Sequence, residues 1–212
     1  MSSLPRAAVD GAVAAERLRL ADFVADLTDA QWSTPSLCDA WTVRDVIAHL
    51  TTTTRTMLPQ LTAAILRARG SFDRMEVILA ARRSAGYSTA ELVGQLRESA
   101  QSSRRTIASS PMDPLMDLVI HAQDIARPLR TPYVSPPEVV AASLEYVATN
   151  RFMGGPRRLA GIRLVSTDTG WTLGEGAELR GPDIDLLLVA AGRPAGLTAL
   201  DGPGKAIVTD RG

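Results

Sequence analysis

Signals that start helices recur along the chain, and they constrain its fold more than any other feature. Two of them are capping boxes, in which a serine or threonine precedes an acidic residue by three positions. The other two place a polar residue just before proline, which is favoured in the first turn of a helix. The four signals are Thr42/Asp45, Ser88/Glu91, Asp113-Pro114 and Ser135-Pro136-Pro137-Glu138. Repeated helix starts predict a mainly α-helical chain.

Apolar residues recur at helical spacing around these signals. We predict helices over residues 13–27, from 42 to about 69 with a kink at Pro59, from 88 onward, from 113 to about 127, and from 135 to about 150. Four or five amphipathic helices with short connections are typical of a helical bundle.

The pattern changes after residue 150. Residues 153–156 read as a linker, and residues 162–166 and 171–173 alternate as strands do. A short helix over residues 182–191 should end at Gly192, and residues 206–209 predict a last strand. We therefore expect a helical-bundle domain over residues 1–152 and a small α+β domain over residues 157–212.

Composition excludes several classes of function. The 212 residues are 45% hydrophobic with a formal net charge of +0, which favours a soluble globular protein over a nucleic-acid binder. Residues 1–10 do not have the pattern of a signal peptide, and no apolar run is long enough to span a membrane. Cys38 is the only cysteine, so a thiolate metal cluster and an intrachain disulfide are excluded. A reducing cytoplasm fits best.

The two histidines of the chain, His49 and His121, fall on separate predicted helices. Asp117 and His121 are four residues apart, so they share one helix face and could hold one metal ion. They border the apolar stripe of their helix, as His49 borders a stripe that contains Met57. A third ligand from a facing helix would leave coordination positions open. A histidine beside an apolar stripe is more often a core or surface residue, so spacing alone leaves both readings open.

Two stretches resemble the mycothiol-dependent maleylpyruvate isomerase family of DinB-like, or YfiT-like, metalloproteins. Residues 32–50 contain two tryptophans around a small-residue turn, the helix start TVRDV and the sequence AHL. Residues 117–129 resemble the later metal-binding helix of the family, and residues 185–194 resemble the closing helix of its sterol-carrier-like domain. The resemblance implies a DinB-like four-helix bundle with a small C-terminal α+β domain. Such bundles commonly pair, which is compatible with a homodimer.

The resemblance also implies that His49, Asp117 and His121 bind a divalent metal. Zinc is the best-suited ion, and nickel, iron and manganese are alternatives. The founding isomerase has glutamate where this chain has Asp117, whose carboxylate reaches one methylene less far. Asp124 could hydrogen-bond His121 from outside the ligand set. The resemblance does not identify a substrate-binding arginine in this chain.

Mycothiol, the small thiol of actinobacteria, would be the co-substrate. The composition agrees with such a source, because Lys205 is the only lysine and an arginine-rich sequence is typical of a GC-rich genome. The implied function is transfer of sulfur to a small electrophile, or its isomerisation. Two alternatives stay open at this stage: a non-catalytic metal-binding stress or sensor protein whose C-terminal domain holds a ligand, and a vestigial site that binds nothing. Cys38 lies outside the ligand helices beside Asp39, which favours a structural role in the turn over a nucleophilic one.

Overall fold

The computed structural model describes residues 5–55, 58–69, 71–104 and 109–211. Contacts divide the chain into two compact units, one over Arg6–Tyr133 and one from Val134 onward. From sequence we predicted a domain limit at residue 152. In the structure the helix Pro137–Thr149 packs instead within the second unit, against the helix Asp183–Ala190.

The first unit is helical. Its helices are α1 Arg6–Ala25, α2 Asp29–Trp32, α3 Val43–Leu50, α4 Thr52–Arg55, α5 Leu58–Ala68, α6 Phe72–Gly86, α7 Thr89–Glu98 and α8 Asp113–Ala126. Helix α1 packs against α7 and α8, and α3 packs against α6, α7 and α8. Among the helices that the structure describes, in either unit, none has both the length and the apolar character needed to cross a bilayer.

Both predicted capping boxes are present. The Thr42 hydroxyl accepts a hydrogen bond from the Asp45 amide, and the Asp45 carboxylate accepts one from the Thr42 amide at 2.9 Å. Ser88 and Glu91 make the same reciprocal pair at the start of α7. These bonds satisfy amide groups that have no partner inside the helix, so local sequence alone determines where α3 and α7 begin.

Our prediction of one long second helix is wrong, because the helix is interrupted at Thr51, well before Pro59. Threonine hydroxyls compete there with the backbone: Thr51 Oγ1 donates to the Ala48 carbonyl and Thr52 Oγ1 to the His49 carbonyl, each at 2.7 Å. Such bonds weaken the regular ladder, and β-branched side chains further lower helix propensity. Pro59 itself lies in the first turn of α5, where proline is tolerated.

Helix α6 has no counterpart in our prediction. Its N-cap is Ser71, whose hydroxyl accepts a hydrogen bond from the Arg74 amide. Met75 and Leu79 are buried one turn apart and pack with Ala64 and Ala68 of α5. These signals are ordinary ones, but they lie in a stretch rich in charge and alanine that resembles a solvated connection.

The apolar stripes that flank the histidines are buried as predicted. On α8 they are Leu115, Leu118, Ala122 and Ile125, and on α3 they are Val46 and Leu50. Met57 lies outside the described residues. Helix α8 ends at Ala126, before Pro128, as expected, but Asp113 is its first residue rather than its cap. The Asp113 carboxylate accepts a hydrogen bond from the Ser110 amide instead, at 2.8 Å.

The second unit combines helices with a small sheet. Its elements are α9 Pro137–Thr149, α10 Gly155–Arg158, β1 Ile162–Ser166, β2 Thr172–Leu173, β3 Ala177–Gly181, α11 Asp183–Ala190, a 3-10 helix Pro194–Ala199 and α12 Gly204–Thr209. The strand order is β2-β1-β3, with β1 antiparallel to β2 and parallel to β3. Gly155 begins α10 where a Cβ atom would lie 2.0 Å from the Val147 carbonyl oxygen, so this position requires glycine.

Two elements of this unit differ from our prediction. Strand β3 was not predicted. Its one fully buried apolar residue is Leu179, so the sequence shows little alternation of apolar and polar residues. Its pairing with β1 is a tertiary contact, which local sequence does not encode. The strand predicted over residues 206–209 is wrong, because those residues lie in α12. Gly204 allows the first turn to lie against the Glu178 carbonyl, and Thr209 Oγ1 donates back to the Lys205 carbonyl at 2.9 Å. Packing thus overrides the β-propensity of the segment.

Replacing Thr42 with alanine should lower the free energy of unfolding by about 1 kcal/mol, because the N-cap of α3 loses its side-chain acceptor. Chemical denaturation measures this effect. Thr53→Ala in α4 is the matched control, since Thr53 caps no helix, and it should change stability by less than about 0.5 kcal/mol. Equal losses in the two variants would show that the capping box contributes nothing specific.

Candidate metal centre

Three helices of the first unit bring the site together. His49 is the next-to-last residue of α3, Asp117 and His121 lie one turn apart on α8, and Glu76 lies on α6. The capping box at Thr42 determines the position at which α3 begins, and the buried stripes of α3 and α8 hold the two helices in contact. The predicted pair Asp117/His121 and the predicted third residue His49 therefore converge in space.

The Asp117 carboxylate lies between the two imidazoles. Its Oδ2 is 3.3 Å from His49 Nε2, and its Oδ1 is 3.5 Å from His121 Nε2. One donor atom from each of these residues lies within 4.8 Å of the other two. Two atoms that each lie about 2.0–2.2 Å from a tetrahedral ion are separated by about 3.3–3.5 Å. Two nitrogen donors and one carboxylate in this arrangement fit a divalent metal ion.

The other nitrogen of each histidine faces a second carboxylate. His121 Nδ1 is 2.8 Å from Asp124 Oδ2, and Asp124 is completely buried. His49 Nδ1 is 3.1 Å from Glu76 Oε2. The hydrogen bond to Asp124 fixes the ring of His121 and keeps its proton on Nδ1, which leaves Nε2 free to bind a metal. This arrangement strengthens the fit to a metal ion.

The turn before α3 contributes two further side chains. The Trp41 ring centroid lies 4.9 Å from that of His49 and 6.1 Å from that of His121, so the indole packs beside both imidazoles. Cys38 Sγ donates to Asp124 Oδ2 at 3.0 Å and lies 3.7 Å from His121 Nδ1. The amide of Leu37 also donates to the Asp124 carbonyl at 3.0 Å, which ties the turn to α8.

Sequence reasoning placed Cys38 in the turn but did not bring it to the site. It did not find Glu76 either, because α6 itself was missed. Cys38, His121 and Asp124 form a second group with the spacing of metal ligands. The buried Asp124 oxygen already accepts from both other members of this group, which is the behaviour of a carboxylate that orients a histidine.

The charge of the cluster depends on His49. Burial lowers its pKa, but the nearby carboxylates of Asp117 and Glu76 stabilise the charged imidazolium more strongly and raise the pKa to about 10. Without a metal, His49 is therefore an imidazolium at neutral pH and compensates the carboxylates around it. A metal ion that binds Nε2 displaces this proton, so metal affinity should rise with pH.

The raised pKa predicts how the stability of the metal-free protein depends on pH. The folded-state pKa of His49 lies above the ordinary value of 6.5, so this group stabilises the fold fully below about pH 6.5. The contribution is lost as pH rises towards 10 and amounts to roughly 5 kcal/mol, on the basis of about 1.4 kcal/mol for each pKa unit between 6.5 and about 10. Denaturation of the chelator-treated protein across this range measures it. A His49→Gln variant should lack this component, and identical pH profiles for the two proteins would contradict the assignment.

The fold and the donor set define a class: a DinB-like helical-bundle protein with a candidate site of two histidines and one carboxylate. Residues 13–115 match the N-terminal domain of mycothiol maleylpyruvate isomerase, so this part of the chain belongs to that family. The matched segment includes His49 and ends just before Asp117. The predicted family and fold class are confirmed.

Two solved structures are similar over nearly the whole chain. They are a mycothiol-dependent maleylpyruvate isomerase, at 15% identity and a TM-score of 0.64, and its histidine-to-alanine mutant, at 14% identity and a TM-score of 0.65. Each match covers 97% of this chain and 97% of the other. At such identities the likeness establishes the fold. No curated protein sequence matches the chain.

Proposed function

We propose that this protein is a metal-dependent enzyme that uses mycothiol to isomerise a small electrophile or to transfer sulfur to it. His49, Asp117 and His121 would hold the divalent ion, with zinc as the best-suited metal. The observation that carries the proposal is the position of Asp117, whose two oxygens face the Nε2 atoms of both histidines at 3.3 and 3.5 Å. Membership of a family named for a mycothiol-dependent isomerase supports the choice of thiol.

The site is open on one side. The Asp117 side chain is 34% exposed, whereas those of His49 and His121 are 12% and 8% exposed. A thiol would therefore approach beside Asp117, while Trp41 and α6 cover the imidazoles. A bound divalent ion lowers the pKa of a coordinated thiol, so that the reactive thiolate forms near neutral pH.

The proposed cis–trans isomerisation needs neither an oxidant nor a reductant. The thiolate adds to one carbon of a cis double bond, and the π electrons move onto the electron-withdrawing substituent. Rotation about the resulting single bond follows. Return of the electrons re-forms the double bond as trans and releases the thiolate. The part of this chain is to hold the imidazoles and Asp117 in place, through Asp124 at His121 and through the capped start of α3 at His49. Reduced thiols are maintained in the cytoplasm, and we propose that the protein acts in that compartment.

A cobalt-loaded Cys38→Ser protein provides a direct test. Because Cys38 is the only cysteine, this variant contains no thiol of its own, and any sulfur-to-cobalt charge-transfer band must come from added mycothiol. We expect that band, and we expect the zinc-loaded wild-type protein to isomerise maleylpyruvate only when mycothiol is present. Metal binding without a charge-transfer band and without turnover would contradict the thiol-dependent function.

A non-catalytic ligand-binding protein is the second candidate, and a cleft in the second unit favours it. The cleft has a volume of about 440 Å³, and its lining combines apolar residues such as Leu159, Ile162 and Leu164 with the charged residues Arg151 and Glu175. A protein of this kind would retain an apolar ligand after His49→Ala replacement. Loss of all ligand binding and turnover together in that variant would favour the enzyme instead.

A further inference from the structure

Glu76 lies at the nitrogen of His49 that does not face Asp117. Its Oε2 atom is 3.1 Å from His49 Nδ1, and its side chain is 20% exposed. Helix α6, which carries Glu76, was not part of the predicted site. The metal ligands described above therefore leave the role of this carboxylate unassigned.

His49 Nδ1 needs an acceptor when Nε2 binds a metal. A neutral imidazole has one proton, so coordination through Nε2 places that proton on Nδ1. Within the part of the chain that the structure describes, Nδ1 is buried and makes no aligned hydrogen bond, although Glu76 lies within ion-pair distance. A buried N–H group without an acceptor is costly, and a small rotation of the Glu76 carboxylate would provide one.

We propose that Glu76 is a positioning residue for the metal centre. Its carboxylate accepts the Nδ1 proton of His49, fixes the tautomer and holds Nε2 towards Asp117. The inference rests on the proposed metal site. It also makes α6 a functional part of that site, since α6 packs along α3, the helix that carries His49.

Glu76 is not itself a candidate ligand. Among the described residues, two groups have metal-ligand spacing: His49, Asp117 and His121, and Cys38, His121 and Asp124. Glu76 belongs to neither. It faces the opposite edge of the His49 ring from the open position beside Asp117. Its position instead resembles that of Asp124 behind His121. The difference is solvent: Asp124 is completely buried, whereas water reaches Glu76.

Zinc affinity of the full-length protein, measured by competition with a chromophoric chelator, tests the inference. Loss of a carboxylate partner behind a metal-binding histidine typically lowers affinity by about 10–100-fold. We expect a loss in this range for Glu76→Ala and a smaller one for Glu76→Gln, whose amide oxygen can still accept the proton. Asp73→Asn is the matched control on the same helix, because Asp73 is exposed and three residues before Glu76, and its affinity should equal that of the wild-type protein.

A nitrogen-15 NMR spectrum gives a second readout that a purely structural role would not change. With two histidines in the chain, the imidazole region contains two ring systems, and His49→Ala assigns them. In the zinc-loaded wild-type protein the His49 Nδ1 proton should exchange slowly with solvent. In Glu76→Ala its exchange should become fast, and Glu76→Gln should restore part of the protection. If Glu76→Ala does not fold, the comparison of Glu76→Gln with the wild-type protein decides.

The outcomes separate this inference from the proposed function. Zinc binding and slow exchange that are equal in the wild-type protein and both Glu76 variants would overturn the role of Glu76 and leave the metal site intact. Failure of the wild-type protein to bind zinc would overturn the metal site and the inference together.

Discussion

Replacing His49 with alanine should abolish tight zinc binding. The variant loses one of two imidazole ligands. The remaining pair is Asp117 and His121, whose Oδ1 and Nε2 atoms are 3.5 Å apart. Since even an outer partner of a metal-bound histidine is worth about 10–100-fold in affinity, loss of the ligand itself should exceed about 100-fold. Chelator competition measures the affinity, and elemental analysis of the purified variant should find no stoichiometric metal.

Thermal unfolding gives an independent measure of the same loss. A ligand that binds only the folded state stabilises it, by about 4 kcal/mol when free ligand exceeds its dissociation constant a thousandfold. Zinc should therefore raise the melting temperature of the wild-type protein and leave that of His49→Ala unchanged. The metal-free forms must be compared as well, because His49 also contributes to stability as an imidazolium between two carboxylates.

His49 discriminates between the two potential ligand groups, whereas His121 belongs to both. If the metal binds through His49, Asp117 and His121, His49→Ala loses zinc and Cys38→Ser retains it, since a serine hydroxyl can still donate to Asp124. If the metal binds instead through Cys38, His121 and Asp124, the two variants behave in the opposite way. That second result would contradict the proposed centre and place the ion at Nδ1 of His121.

The parts of the site that sequence could predict are those set by local rules. The capping box at Thr42 determines where α3 begins, and helix geometry places Asp117 and His121 on one face. The convergence of His49 with that pair depends on the packing of α3 against α8, which no spacing within either helix encodes. From sequence, only the family resemblance joined the three residues.

The reach of the Asp117 side chain also depends on tertiary packing, which sequence alone does not give. From sequence, aspartate in place of glutamate left the reach of the side chain open. In the structure the Asp117 oxygens come within 3.3 and 3.5 Å of the two Nε2 atoms, so the aspartate side chain is long enough to reach both histidines. Direct binding of a metal ion by this carboxylate stays a prediction.

Of the features that sequence missed, one has a local cause and the others have tertiary causes. The break at Thr51 arises because threonine hydroxyls bond to carbonyls of the preceding turn. Strand β3 and helix α12 depend on tertiary contacts that override weak local preferences. Glu76 was missed for a related reason, since a single glutamate has no functional signature until α6 is known to pack against α3.

Changing Asp124 to asparagine should weaken zinc binding by about 10–100-fold and also destabilise the protein by about 1–3 kcal/mol. Asp124 Oδ2 is completely buried and accepts hydrogen bonds from Cys38 and His121. An asparagine amide carries no charge, and in one of its two orientations it would present N–H groups to these donors. His121 Nδ1 would then lose its acceptor, and the preference for a free Nε2 atom would weaken.

The matched control for this prediction is Asp113→Asn on the same helix. Asp113 accepts hydrogen bonds from Ser110 and Ser109 at the start of α8, far along the helix from the imidazole of His121. Its replacement should affect stability and leave zinc affinity unchanged. If Asp124→Asn lowers stability without weakening zinc binding, Asp124 serves only the packing of the turn against α8. A loss of affinity confined to Asp124→Asn instead supports its role behind His121, because the two variants differ in which group the carboxylate holds.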